Sequence, residues 1–154
     1  MKRNFLFPNR FKKIGWLVFI PSLLVGLYII WTDYEPELFN IKVVALFETP
    51  IFGSEKSFFK ASTNNILDEI ITILLIISLM FINFSKEKVE DEYISKLRLE
   101  SLVWAIYVNY LILIISTILF YNTEYLWVMI FNMFTILIIF MIRFNWLLRY
   151  SKKI

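Results

Sequence analysis

The sequence predicts an all-α membrane protein, a bundle of four transmembrane helices. Apolar residues make up 59% of its 154 residues, and its mean hydropathy is +0.68, which is more apolar than a water-soluble domain of this length. The apolar residues also fall in long stretches, each able to cross ~30 Å of hydrocarbon as a helix. We therefore predict one transmembrane domain, 1–154, with spans at residues 14–31, 66–84, 102–121 and 125–146.

Backbone groups inside lipid have no water to bond, so these spans must be helical even where Ile70–Ile77 is rich in β-branched residues. The positions of the basic residues predict the orientation. Of the 16 Lys and Arg residues, all except Lys42, Lys56 and Lys60 precede the first span, separate the second from the third, or lie near the end of the fourth. The positive-inside rule then places both termini in the cytoplasm. Abundant Ile, Phe, Asn and Lys are typical of AT-rich bacterial genes, so we expect the bacterial inner (cytoplasmic) membrane.

The outer loop, residues 32–65, is predicted to hold a short β-hairpin or an interfacial loop, because Ile41–Phe47 favours a strand and Pro50 and Gly53 follow it. Asn65 precedes the second span as a helix cap would, and Asp68 lies in its first turn, where the helix dipole favours an acid. Asp68 is also a candidate binding residue in an acidic outer mouth for a cation. Surface solvation and pairing with the helix dipole also explain Asp68, and we favour that interpretation.

The charged segment, residues 85–101, lies between the second and third spans. Val89, Tyr93 and Leu97 recur at helical spacing, so we predict that the third helix extends into the cytoplasm from about Lys88. Tyr93 and Leu97 are expected to pack below a docking surface for a cytoplasmic protein partner. The carboxylates predicted to face that partner are Glu87, Glu90, Asp91 and Glu100.

Small and polar residues form one stripe along each span, which predicts a face turned away from lipid. In the second span these residues are Asp68, Thr72 and Asn83. In the third span they are Ser101, Ala105, Asn109 and Ser116, and in the fourth they are Asn132, Thr135 and Arg143. Asn109, Asn132 and Thr135 have two interpretations: hydrogen bonds between helices, or a ligand site or polar path. Arg143 is expected either to reach lipid headgroups or to pair with Glu100 or the acids at 90–92.

The composition excludes several functions. With no Cys and no His, the chain lacks thiol nucleophiles and the usual general base near neutral pH, so we expect no enzyme activity, no cofactor and no metal. A net charge of +3 does not indicate nucleic-acid binding. The expected function is that of a regulatory or accessory subunit that acts in the lipid bilayer through protein contacts. The alternative is a small transporter or channel, which would need a homo-oligomer to enclose a path.

Several segments together resemble a family of small, four-helix bacterial inner-membrane proteins with no known activity. The segments are Ser85–Ile94, Leu97–Leu102, Val108–Tyr110, Val128–Thr135 and Ile142–Asn145. The resemblance implies a membrane location and supplies no functional residue.

Overall fold

The computed structural model describes residues 5–32, 36–48 and 57–151. Within these ranges the chain forms four α-helices and a two-stranded sheet: α1 (Asn9–Thr32), β1 (Asn40–Glu48), β2 (Ser57–Asn65), α2 (Leu67–Phe84), α3 (Glu92–Leu119) and α4 (Asn122–Ser151). Each of these helices is long and apolar enough to span a membrane. The predicted helical class and order of spans are confirmed.

The helix ends differ from the predicted span ends. α1 begins at Asn9 and α4 continues to Ser151, whereas the predicted spans begin at residue 14 and end at residue 146. Hydropathy marks the apolar run that lipid requires, and a helix can continue past that run wherever its polar residues meet water.

The chain packs as two compact units, of which the first is Pro21–Ile73. Here β1 pairs with β2 in an antiparallel register that runs from Asn40 opposite Asn65 to Glu48 opposite Ser57. A two-stranded sheet is thus present in the predicted outer loop, while Pro50 and Gly53 lie outside the described residues. At the start of α2, the Asn65 side-chain oxygen accepts a hydrogen bond from the Leu67 amide at 3.1 Å.

The second unit comprises Met1–Ile20 and Leu74–Ile154. Its hydrophobic core lies between α3 and α4, and Phe84 from the end of α2 packs against it. The two helices are joined through Phe120 and Tyr121, after which Asn122 has a positive φ of 56°, a conformation that Asn adopts more readily than most residues. The buried core side chains are Leu97, Ala105, Phe140, Phe144 and Leu148.

The first turns of α1 approach α2 closely in this same unit. A Cβ atom added at Gly15 would lie 2.9 Å from Ile82 Cγ1 and 3.0 Å from the Ser78 carbonyl oxygen. Both distances are shorter than ordinary carbon contacts, so a residue without a side chain is needed at Gly15.

Candidate functional site

The charged segment is bound to the residues that precede α1. The Phe7 amide donates to the Phe84 carbonyl oxygen at 2.9 Å, and the Lys86 amide donates to the Phe7 carbonyl oxygen at 2.8 Å, which forms a short parallel bridge between Phe7 and Ser85. The Phe7 ring packs edge-on against Phe81, with centroids 5.2 Å apart. The start of the charged segment is therefore fixed by the chain that leads into α1.

Arg98 forms the most extensive polar contacts of this region. Its Nη1 donates to Glu90 Oε1 at 2.6 Å, and its Nη2 donates to Glu90 Oε2 at 3.2 Å and to the Ser85 carbonyl oxygen at 3.2 Å. The guanidinium carbon lies 4.9 Å from the centroid of Phe144. Arg98 is 7% exposed, and this two-point pairing compensates a charge that is nearly removed from water.

A second ion pair adjoins the first. Lys12 of α1 pairs with the Glu87 carboxylate, and its Nζ also donates to Asn145 Oδ1 at 3.1 Å. The Glu87 amide donates to Glu90 Oε2 at 2.9 Å, which joins the two pairs. We call the set Lys12, Glu87, Glu90 and Arg98 the clasp, because it ties α1, the charged segment and α3 together.

Asp91 has a local structural role. Its Oδ1 accepts a hydrogen bond from the Ile94 amide at 2.8 Å, which makes it the N-cap of α3. The helix therefore begins at Glu92, four residues later than the predicted start near Lys88. Of the predicted docking carboxylates, Glu87, Glu90 and Asp91 are thus engaged within the chain, and Glu100 is exposed.

The apolar residues of the charged segment divide between core and surface. Leu97 is buried in the core as predicted. Val89 and Tyr93 are 70% and 57% exposed, so the prediction that Tyr93 packs below the acids is wrong. Tyr93 lies in the first turn of α3 beside exposed Glu92, one turn before exposed Lys96.

The polar stripe of α3 is buried as predicted, and it includes Ser101, Ala105, Asn109 and Ser116. Asn109 is 4% exposed, and its Oδ1 accepts a hydrogen bond from Asn132 Nδ2 of α4 at 3.3 Å. The Thr135 hydroxyl donates to the Phe131 carbonyl oxygen of its own helix at 2.9 Å. A side-chain hydrogen bond therefore connects Asn109 with Asn132 across the two helices, whereas the hydrogen bond of Thr135 lies within α4.

Arg143 of α4 lies against Trp104 of α3, with its guanidinium carbon 4.3 Å from the ring centroid. Its Nε is buried and has no hydrogen-bond partner among the described residues. Neither ion pair of the described residues contains Arg143, so the structure does not show the predicted pairing with Glu100 or with the acids at 90–92. A shallow groove of about 400 Å³ opens beside Arg143, lined also by Leu99, Glu100, Val103, Trp104 and Tyr107.

Asp68 lies in the other unit, exposed in the first turn of α2. Its neighbour Glu69 accepts a hydrogen bond from the Asn64 side chain at 2.9 Å. In the part of the chain that the structure describes, no three acidic side chains converge as metal ligands would.

Sequence reasoning missed the roles of Lys12, Arg98 and Asn83. The sequence predicts a role for Lys12 and Arg98 only in orientation. The one sequence signal of a further role is that Arg98 directly follows Leu97, which is predicted to pack below the docking surface. Asn83 was predicted to face away from lipid, and it is fully buried with its Nδ2 donating to the Leu137 carbonyl oxygen at 2.9 Å.

Comparison of the chain with protein-family models, with curated proteins and with solved structures finds no match. The class of protein is therefore defined by the chain's own architecture. Helices this long and apolar, in succession along one chain, are the architecture of a multi-pass membrane protein.

Proposed function

We propose that this chain is a non-enzymatic inner-membrane protein of a bacterium that acts through protein contacts, as an accessory or regulatory subunit with both termini in the cytoplasm. The observation that carries the proposal is the surface that remains exposed around the clasp. We call this surface the docking face, and its members are Lys88, Val89, Glu92, Tyr93 and Lys96. Its exposed apolar side chains beside charges of both signs are typical of a protein-contact surface.

The position of the docking face along α3 supports contact with a partner in water. At 1.5 Å per residue, Tyr93 lies about 39 Å along the helix from Leu119, whereas the hydrocarbon is ~30 Å thick. If Leu119 lies at one membrane surface, Tyr93 extends beyond the opposite one. An exposed tyrosine there meets water or a partner, and does not meet acyl chains.

The clasp supports the same proposal by making the docking face rigid. Glu87 and Glu90 fix the chain before Asp91, and Asp91 fixes the first turn of α3. A surface that is already ordered loses less conformational entropy on binding. The docking face thus replaces the predicted docking carboxylates Glu87, Glu90 and Asp91 as the proposed contact surface.

A photo-cross-linking amino acid at Tyr93 tests this proposal in native membranes. Tyr110 is the matched control, because it is the same residue type on the same helix and is also 57% exposed, but lies about 14 Å from Leu119, within the apolar span. We expect a discrete protein adduct from position 93 that weakens as salt rises, since charges separated by more than ~8 Å are screened at physiological ionic strength, and lipid adducts from position 110. Protein adducts at 93 that are no stronger than those at 110 would overturn the proposal.

The alternative, a small oligomeric transporter or channel, would use Asn109, Asn132 and Thr135 as a polar path. The hydrogen bonds of these residues lie within the chain, so the geometry favours the bracing interpretation. Ion flux in liposomes decides between the two. Flux that is lost in Asn109→Leu or Asn132→Leu while thermal stability is unchanged would replace the proposed function with transport.

A further inference from the structure

The groove beside Arg143 changes in character along its length. We estimate its depth in the membrane from the helix rise of 1.5 Å per residue, measured from the connection between α3 and α4. Arg143 lies about 32 Å from Asn122, and Glu100 lies about 29 Å from Leu119. Since the hydrocarbon is ~30 Å thick, a connection at one membrane surface places both charges at the headgroups of the other.

Three of the other lining residues, Val103, Trp104 and Tyr107, lie deeper in the membrane. By the same measure Trp104 and Tyr107 lie about 22 and 18 Å from Leu119, and Val103 is their neighbour on the groove wall. One end of the groove therefore carries two opposite charges at headgroup depth, and the other end is apolar and aromatic at acyl-chain depth. That gradient matches the cross-section of one phospholipid molecule.

The two charged residues also suit a particular headgroup. Arg143 and Glu100 line the same groove, but they are not among the ion pairs of the described residues. The Arg143 guanidinium lies over the Trp104 ring, and a guanidinium has paired donors that match a phosphate. The Glu100 carboxylate can accept hydrogen bonds from an ammonium group.

We propose that this groove binds a phospholipid with a primary amine, phosphatidylethanolamine, with its phosphate on Arg143, its ammonium on Glu100 and its acyl chains along Val103, Trp104 and Tyr107. The charges of the groove oppose the alternatives. Phosphatidylglycerol supplies no cation for Glu100, and the quaternary ammonium of phosphatidylcholine has no N–H to donate. The inference requires a membrane location and is independent of the proposed protein partner.

A headgroup series tests this inference on the full-length protein. Purified protein is equilibrated with vesicles that contain equal amounts of phosphatidylethanolamine, its mono-, di- and trimethylated forms, and phosphatidylglycerol. The lipids retained are counted by native mass spectrometry. Each methyl group removes one N–H donor and keeps the positive charge. We expect retention to fall along the series by about tenfold overall, the ratio that corresponds to loss of one hydrogen bond to a charged group.

Two variants test whether Glu100 contacts the ammonium group and Arg143 contacts the phosphate. Glu100→Gln should abolish the preference among the four headgroups while phospholipid is still retained, and Arg143→Gln should lower retention of all four. Glu124→Gln is the matched control, because Glu124 is an exposed carboxylate in the first turn of α4 and lies outside the groove lining, and it should behave as the parent does. The inference would be overturned if the parent retained all headgroups equally or retained phosphatidylglycerol more strongly. It would also be overturned if the preference persisted in Glu100→Gln, or if soluble glycerophosphoethanolamine displaced the lipid.

Discussion

At the scale of single residues, Arg98 shows how this chain accommodates a cation at the edge of a hydrophobic core. Arg98 directly follows the buried Leu97 on α3. Its guanidinium contacts two oxygens of Glu90, the Ser85 carbonyl oxygen and the ring of Phe144. Removing one partner of such a pair leaves the other charge uncompensated in a region with little water. We therefore expect Glu90 to contribute more to stability than an acid that has no partner.

The substitution Glu90→Gln tests this role. We expect the free energy of unfolding in detergent micelles to fall by about 1.5–3 kcal/mol, because the variant keeps the shape of Glu90 and removes the charge from its hydrogen bonds with Arg98. Glu92→Gln, the same chemical change at an exposed position, should cost less than about 1 kcal/mol through the helix dipole. Equal losses in the two variants would show that Arg98 does not depend on Glu90.

The contacts of the clasp could not be predicted from sequence because the partners are distant in the chain or on opposite sides of a helix cap. Lys12 and Glu87 are separated by 75 positions. Locally, Glu87 stands between Lys86 and Lys88, a pattern typical of a solvated surface. Glu90 precedes Arg98 by eight positions, and the chain between them is helical only from Glu92, so helical periodicity does not bring the two together.

At the scale of secondary structure, α3 illustrates what periodicity predicts and what it omits. The stripe from Ser101 to Ser116 was predicted from its spacing and is buried, because interfaces between membrane helices favour small side chains. The predicted start near Lys88 is too early, because Val89 continues the apolar spacing although Asp91 is the N-cap of the helix. A capping hydrogen bond depends on local backbone geometry that spacing alone does not contain.

Gly15 offers a test of packing between α1 and α2. We expect Gly15→Ala to lower the free energy of unfolding by about 1–3 kcal/mol, because the added Cβ overlaps Ile82 and the Ser78 carbonyl oxygen. Gly26→Ala is the control on the same helix, since its Cβ would meet the Ile71 side chain at 3.3 Å and the change also improves helix propensity. A Gly15→Ala variant as stable as Gly26→Ala would contradict the close approach.

The hydrogen bond between Asn109 and Asn132 is measured by a double-mutant cycle. Each change to Leu should cost at most about 1–2 kcal/mol, and the coupling energy should be ~0.6 kcal/mol with ~1.7 as an upper value, the range found for hydrogen bonds between membrane helices. Unfolding of Asn109→Leu, Asn132→Leu and the double variant in micelles gives these quantities. A coupling energy of zero would mean that the bond contributes nothing to the packing of α3 on α4.

At the scale of the whole molecule, the sequence predicted the helical class and the order of the spans because lipid imposes a strict requirement. Every backbone group in hydrocarbon needs a partner within the chain, so a long apolar stretch has few alternatives to a helix. The outer loop is not constrained in this way. Its strand-forming residues at 41–47 are compatible with either a hairpin or an interfacial loop. In the structure they belong to β1, which pairs with β2.

The four-span topology is tested most directly by measuring the side of the membrane on which each segment lies. The sequence has no Cys, so Lys42→Cys, Lys88→Cys and Tyr150→Cys each introduce a single thiol without background. Lys42 lies in β1, Lys88 in the charged segment and Tyr150 near the end of α4. The distribution of basic residues predicts that a membrane-impermeant maleimide labels the Lys42→Cys variant in spheroplasts, and labels the other two only after the membrane is permeabilised. Labelling of Lys42→Cys and Lys88→Cys from the same side would contradict the account, because α2 would then not cross the membrane.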